Sequence, residues 1–565
     1  MPERPVVRRV LALAIAIVVV AGASGCVGIP GEGPVNQGLS LSAGSGGANF
    51  DFNPEGPELG ASKESILKGF VAAFTSATGG YAVAKKFLAS GFKEKWDPRA
   101  SVQVRSGQPR LSTVNDSTIQ YSFATIATVD ALGAYTESSQ PSTLQFGFVK
   151  EDGQWRINAA PAGIVLSDQT FQRIFTQQTL YFLDSNNEHL VPDLRWFPRG
   201  TAATGVATSL LAGPPTWLKG AAFSRFPEGT QLSDAGSIVT PEDGVATIDL
   251  SKEALAASPR ERQLMKVQLT ESLRSVGNIS SVRISVEGTP LQIDDLGPSG
   301  PQADTKVDAQ ALVLRKGEFG FYANGKVAAL SLSRAVVGLK ARAATLSSDG
   351  ASIAVLGAGG VSLLRKGVAQ TAPLDARDDL VAPSLDENGY VWSVPSNQPN
   401  AITAFDPAGV AHPVMAALPG DSQVQSLEVS RDGARVVILL STPTGPRLIV
   451  SAILRDPDKQ APLSLKAPIV DLPLGDGVAV DATWVDQLTV ATLVSTGEGS
   501  SIEAFTIGGQ RQSLDSLPSA TASAIVGGNG QTGLRVLAGD STIWAYQGSS
   551  WQNTRVKVDF IATQR

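Results

Sequence analysis

The sequence predicts a multidomain, largely β protein: two successive α+β domains, then an all-β propeller of about six blades, alternatively five. Three observations carry that expectation. The chain has 565 residues, enough for about three to five domains at roughly 100–200 residues each. Gly (57) and Pro (34) are abundant while charged residues make up only 17%, a balance that suits turn-rich β structure. Beyond residue 307, short apolar runs around Gly-containing turns recur with a period of about 40–45 residues.

The N-terminus comes first. Arg4, Arg8 and Arg9 precede an apolar run from Val10 to Ala21, and Ala23-Ser24-Gly25 places small residues directly before Cys26. This is the layout of a secretory signal, residues 1–25, too short for a comfortable membrane span. Cys26 is the only cysteine in the chain. A thiol at that spot is what a bacterial lipobox requires, with cleavage between Gly25 and Cys26 and lipid on the sulfur. Ala23 stands where Leu is usual. The expected product is an N-palmitoyl, S-diacylglycerol cysteine that holds the protein on the outer face of the cell membrane. Residues 26–60 are rich in Gly, Pro, Ser and Asn and read as a flexible tether.

Residues 61–170 begin with a helix capped by Ser62, its apolar face made by Ile66, Leu67, Phe70, Val71 and Phe74. A short helix with Tyr81, Ala84, Phe87 and Leu88 follows. Next come the strands SVQVRS, STIQYSFATIATV, STLQFGFVK and QWRINAAP, the last two joined by a tight turn at Asp152-Gly153. Helices against a curved antiparallel meander give an α+β layout of the nuclear-transport-factor-like (NTF2-like) kind.

Residues 175–296 open with LYFLDSNNEHLVPDLRWFP, two strands around the turn Asp184 to Asn187. A helix over TAATGVATSLL stops at Gly213 and Pro214. AAFSRFPEGTQL and VATIDLS read as strands, and Pro259 to Val276 as a longer helix with Leu264, Val267, Leu269 and Leu273 inward. SVRISVEG closes the domain with Val282, Ile284 and Val286 on one face. Residues 297–306 (GPSGPQADTK) form a Pro/Gly-rich linker.

Residues 307–565 carry the repeats LSSDGASIAVLG, SLDENGYVWSVP and EVSRDGARVVILL, with weaker copies TWVDQLTVATLV and GGNGQTGLRVLAG. The gap from Gly433 to Gln487 is stretched by an insertion, LRDPDKQAPLSLKAP. ALVLRKGEFGFYANGKVAALS reads as a first blade short of one strand, which VKVDFIATQR at the other end can supply to close the ring. Closure removes sheet edges that otherwise pair with other chains.

Composition excludes much chemistry. With two His and one Cys, neither a Cys-rich zinc site nor an internal disulfide is possible. The net charge of −6 gives no basic excess for nucleic acid. His189 and His412 have no nucleophile or second ligand beside them. Gly528 to Gly533 fits GxGxxG, but a strand-like segment follows instead of the helix a dinucleotide needs, so it reads as a blade turn. Asn115 and Asn278 head glycosylation sequons that mean little behind a bacterial signal. A propeller can hold two carboxylates near its axis, and Glu428, Asp432 and Asp486 are the candidates for glycoside hydrolysis. Turn aspartates mostly bond their own backbone, however. The expectation is no catalytic residue, no cofactor and no metal.

CVGIPGEGPV after the lipobox, NPEGPELGASKESILKGFVAAF, then LYFLDSNNEHLVPDLRWFP with LLAGPP and VATIDLS, and finally the blade repeats, together resemble the actinobacterial LpqB lipoprotein family. The resemblance implies an N-terminal domain, a GerMN domain and a propeller, on a membrane-anchored accessory protein. It further implies action with the MtrA–MtrB two-component system, through the extracytoplasmic domain of the sensor histidine kinase, in envelope homeostasis and division. The alternative from a different class is a cell-wall binder that recognises peptidoglycan glycan or peptide.

Overall fold

The computed structural model describes residues 54–233, 240–277, 279–368, 372–517 and 521–565. The signal, Gly25, Cys26 and most of the tether lie outside the described residues, as does Asn278.

The first domain starts at α1 (Lys63–Ala72), where the Ser65 amide donates to Ser62 Oγ at 3.2 Å and Ile66, Leu67 and Phe70 are buried. Its strands are β1 (Ser101–Asn115), β2 (Thr118–Asp130), β3 (Tyr135–Glu137), β4 (Pro141–Glu151), β5 (Gln154–Ala159) and β6 (Ile164–Ser167), in the order β5-β4-β2-β1-β6 with β3 on β2. Asp152 and Gly153 both take positive φ (48° and 76°), the conformation a two-residue hairpin demands. Two features differ from the sequence reading. β1 runs on past Ser106, because its outer half is solvent-exposed and polar and shows no alternation. β6 is an extra strand, parallel to β1. The concave side is filled by Phe70, Phe74, Tyr81, Trp96 and Phe146.

The second domain opens with the antiparallel hairpin β7 (Phe175–Leu183) and β8 (Leu190–Pro198). Helix α2 (Ala202–Leu211) packs on the hairpin and on α3 (Pro259–Leu273), and α3 packs on a sheet whose two central strands, Val245–Leu250 and Ser281–Val286, run parallel. Such a pairing requires a crossover, and α3 is that crossover. Its start carries a full capping box between Ser258 and Glu261. AAFSRFPEGTQL is not a strand. Pro227 has no amide to offer a ladder and a turn follows it, so the segment forms only isolated bridges, among them Phe223 with Leu183 and Leu232 with Leu250, while burying Ala221, Ala222 and Phe226. The linker is docked: the Leu190 amide donates to Gln302 O at 2.8 Å and the Gln302 amide to Glu188 O at 2.9 Å.

Among the described residues, the third region is a ring of six sheets. Blade 1 holds Ala311–Arg315, Glu318–Ala323 and Lys326–Ala329, and its innermost strand is Phe560–Ile561 from the other end of the domain. Thr563–Gln564 continues into blade 2, pairing parallel with Ala343–Leu346. The last segment therefore stitches two blades, one more than the sequence suggested. Among the described residues blades 3, 5 and 6 have four strands each, while blade 4 has five: both Pro462–Leu465, from the insertion, and Val470–Pro473 pair with Gly445–Arg455. A separate apolar cluster fills each junction between neighbouring blades, including the closing one, built from Val313, Val526, Leu537, Ile543, Val558 and Ile561.

All three regions meet on the β7–β8 hairpin. Trp196 is buried in the first domain's core, with ring centroids 4.9 Å from Phe171 and 5.4 Å from Tyr135. Its amide donates to Gly133 O at 2.8 Å, and its indole Nε1 donates to Gly508 O in blade 5 at 3.0 Å. The next residue, Phe197, belongs to the second domain's core, which also takes in Ala434 and Ala452 of blade 4. Gly508 must be glycine: its φ is +77°, and a Cβ there would lie 2.7 Å from Leu194 O. Trp196→Ala is therefore expected to cost about 3–5 kcal/mol and to split one thermal transition into several. Differential scanning calorimetry checks this, and a single unshifted transition would show that the hairpin does not couple the domains.

Candidate functional site

The innermost strands of the six blades surround an axial cavity of about 320 Å³. One end of these strands carries Arg342, Ala382, Gln425, Ser523 and Asp559, which line the mouth. The other end leads into the turns that face the second domain. There the β7–β8 tip and the linker cover the ring: Arg431 donates to Thr305 O at 3.2 Å and to Gly528 O at 2.7 Å, and Tyr181 pairs with Gln487 at 2.8 Å. Arg565 is buried at that covered end. It donates to Val429 O and to Ser384 Oγ (3.0 Å), and lies 3.3 Å from Glu428.

Besides Asp559 at the mouth, the cavity wall contains two carboxylates on adjacent blades, Glu428 in blade 4 and Asp481 in blade 5. Glu428 has its cation in Arg565. Asp481 has none among the described residues; it accepts from the Ile525 amide at 2.9 Å and the Ala482 amide at 2.8 Å. Between the blades the Ala482 amide also donates to Ser426 Oγ at 2.9 Å. The opposite wall has Ala343, Ala344 and Thr345, whose hydroxyl donates to Pro383 O at 2.7 Å.

Of the three carboxylates the sequence singled out, only Glu428 faces this cavity. Asp432 accepts from the Ala434 amide (2.9 Å) and Ser430 Oγ (2.7 Å) and pairs with Arg435. Asp486 accepts from the amides of Leu488 and Thr489, both at 2.8 Å. Both are turn residues bonded to their own backbone, so the trio is not a catalytic set. Asp481 was missed because a bulge between Ala479 and Asp481 resets the strand's alternation; the signal available was an Asp inside the apolar run VAVDATW. His189 Nδ1 sits 3.3 Å from Asp184 at the hairpin tip, and His412 is 3.5 Å from Asp406 in blade 3. Gly528–Gly533 lies between two strands of blade 6 and contains a single 3-10 turn. Among the described residues no group of three or more His, Cys, Asp or Glu is placed to hold a metal ion, and no helix is long and apolar enough to cross a membrane.

Burial pushes the Asp481 carboxyl up to about 7, with Glu428 adding to the rise against the bonds from Ile525 and Ala482. Burial also raises Asp193 despite Arg195, Glu387 despite Ser348, and Glu428 despite Arg565. For His189 burial alone is a lowering influence, but the bond and charge of Asp184 carry it above the usual histidine value. The signs agree. An acid raised in the fold binds more protons folded than unfolded, so stability falls as pH climbs from its unfolded toward its folded value; a raised histidine loses its contribution as pH rises through its folded value. Asp375 and Asp432, where Arg377 and Arg435 outweigh burial, act only at the acid end. Thermal unfolding should therefore occur at a higher temperature at about pH 5.5 than at about pH 8, and His189→Gln should shrink the difference. The reverse order would contradict these assignments.

Comparison with known proteins matches three family descriptions in order along the chain: lipoprotein LpqB, N-terminal domain, over residues 56–172; sporulation and spore germination, over 179–292; and lipoprotein LpqB beta-propeller domain, over 324–559. Lipoprotein LpqB of Cutibacterium acnes is 31% identical over 52% of this chain and 49% of its own, so that match spans about half the relative's length. Lipoprotein LpqB of Thermobifida fusca is 25% identical over 86% of this chain and 87% of its own. Among solved structures, the tandem GerMN domains of the sporulation protein GerM from Bacillus subtilis align with 22% of this chain and 44% of theirs, at 22% identity and a TM-score of 0.18. With its N-terminal α+β domain, GerMN domain and β-propeller in that order, the chain belongs to the actinobacterial LpqB lipoprotein family.

Proposed function

We propose that this lipoprotein is a non-catalytic, regulatory partner of a sensor histidine kinase of the MtrA–MtrB type, held on the outer face of the cell membrane and affecting envelope homeostasis and division. The observation that carries the reading is the locking of three domains around one hairpin, which presents a partner with one composite surface. Where the three meet, Tyr135, Leu194, Trp217, Leu472, Phe505 and Ile507 line an apolar cleft of about 280 Å³, with the Glu137–Arg511 pair (3.4 Å) at its edge. Convergent aromatic and aliphatic side chains of this kind suit protein recognition better than bond making.

The anchor supplies the rest. The Cys26 thiol displaces the phosphorylated headgroup of a membrane phospholipid and so takes its diacylglyceryl group. Hydrolysis breaks the Gly25–Cys26 peptide bond, and the freed amine takes an acyl chain from a second phospholipid, releasing the lysophospholipid. Two proteins confined to one membrane meet at high effective concentration, so a weak contact suffices. A second reading, a cell-wall peptide or glycan binder, is favoured by the axial cavity.

Crosslinking in intact membranes followed by mass spectrometry separates the readings. Wild type should yield crosslinks to the kinase's extracytoplasmic domain, and Cys26→Ser should lose most of them. Crosslinks that persist undiminished in Cys26→Ser would remove the tether from the account. Their absence in both proteins, together with binding to purified peptidoglycan fragments, would favour the second reading.

A further inference from the structure

We propose that the axial cavity of the propeller is a binding site for a small ligand bearing a primary ammonium group, with Asp481 receiving the ammonium and Glu428 beside it. The site goes beyond the kinase contact and does not depend on it. Its shape comes first. The end facing the second domain is filled by Arg565 and covered by the linker and the β7–β8 tip, while the far end opens between Arg342, Ala382, Gln425, Ser523 and Asp559. A ligand enters from the far end and reaches the two carboxylates inside. A volume of about 320 Å³ equals roughly ten waters, so the ligand has on the order of ten non-hydrogen atoms.

The chemistry follows from the unequal treatment of the two acids. Arg565 spends its guanidinium on Glu428, Ser384 and Val429. Among the described residues no cation is paired with Asp481, whose oxygens accept from neutral donors: the amides of Ile525 and Ala482, and the Ser426 hydroxyl. A carboxylate set among protein atoms with no cation is costly unless one arrives from outside. Each Asp481 oxygen keeps acceptor capacity after its amide bond. An anion is disfavoured by the two acids, and a metal ion because, among the described residues, no group of three or more His, Cys, Asp or Glu is placed to hold one. An ammonium offers three donors in a compact head that fits between two carboxylates on neighbouring strands. The ligand body then lies against Ala343, Ala344 and Pro383 on the facing wall.

The amino terminus of a short peptide and a simple alkyl amine both carry this group. Isothermal titration of the detergent-solubilised full-length protein with L-alanyl-L-alanine, its N-acetylated form and 1,4-diaminobutane tells them apart. Saturable binding of the dipeptide and not of its acetylated form assigns a peptide amino terminus, and binding of the diamine alone assigns a simple amine. Asp481→Asn should weaken binding about tenfold or more, the usual worth of a charge-assisted bond. Ala382→Trp, at the exposed mouth, should block entry without touching either carboxylate, and it keeps the test sound if Asp481→Asn folds poorly. Equal binding of the acetylated dipeptide, wild-type affinity in both variants, or no saturable binding of either amine up to ~10 mM would overturn the proposal.

Discussion

The structure depends on one constraint: the β7–β8 hairpin enters the cores of two domains and is hydrogen-bonded to the third. Successive residues of β8 point to different domains, so Trp196 enters the aromatic core of the first domain and Phe197 the core of the second. The same indole that stacks on Phe171 donates to the backbone of blade 5. Alternation along a strand normally separates a core face from a solvent face. Here both faces are covered, which is why all but the last residue of Leu190–Pro198 is buried. A strand with no solvent face cannot shift register without disturbing every neighbour.

The propeller is held by a second constraint of the same kind. The ring closes through Phe560–Ile561 and Thr563–Gln564, two short pairings that join strands from opposite ends of the domain. Such short ladders are weak alone. The apolar contacts of Phe560 with Phe319, and of Ile561 with Val313 and Val526, give closure its strength. Arg565 adds specificity, since its guanidinium reaches blade 3 through Ser384 and blade 4 through Val429 and Glu428. Closure also shapes the axial cavity, because Phe560, Ile561 and Thr563 are part of its lining. Fold and candidate site thus rest on the same few residues.

Much of this was legible in the sequence where a local pattern carried it. The Ser62 cap, the Asp152-Gly153 turn, the apolar alternation of SVRISV and the repeating Gly turns each express a short-range rule. The closing strand was legible because blade 1 visibly lacks a partner. What escaped was non-local. β6 is too short to announce itself, and the exposed half of β1 has no pattern to read. AAFSRFPEGTQL has apolar residues in strand-like supply, but Pro227 and the turn after it turn them into a buried loop. Asp481 is hidden by a bulge, which shifts the alternation that would have pointed it inward. The junction role of Trp196 was invisible, since one sequence shows that a tryptophan is in a strand and not which domain it will enter.

The central claim is that the three regions behave as one cooperative unit through the hairpin. Native-state hydrogen exchange tests it most directly at two amides: Trp196, bonded to Gly133 O of the first domain, and Leu190, bonded to Gln302 O of the linker. If the hairpin couples the domains, these junction amides open only with the global transition and share the opening free energy of the core amides in each domain. Junction amides that exchange by a separate, lower-energy opening, while the three cores stay protected, would contradict the account.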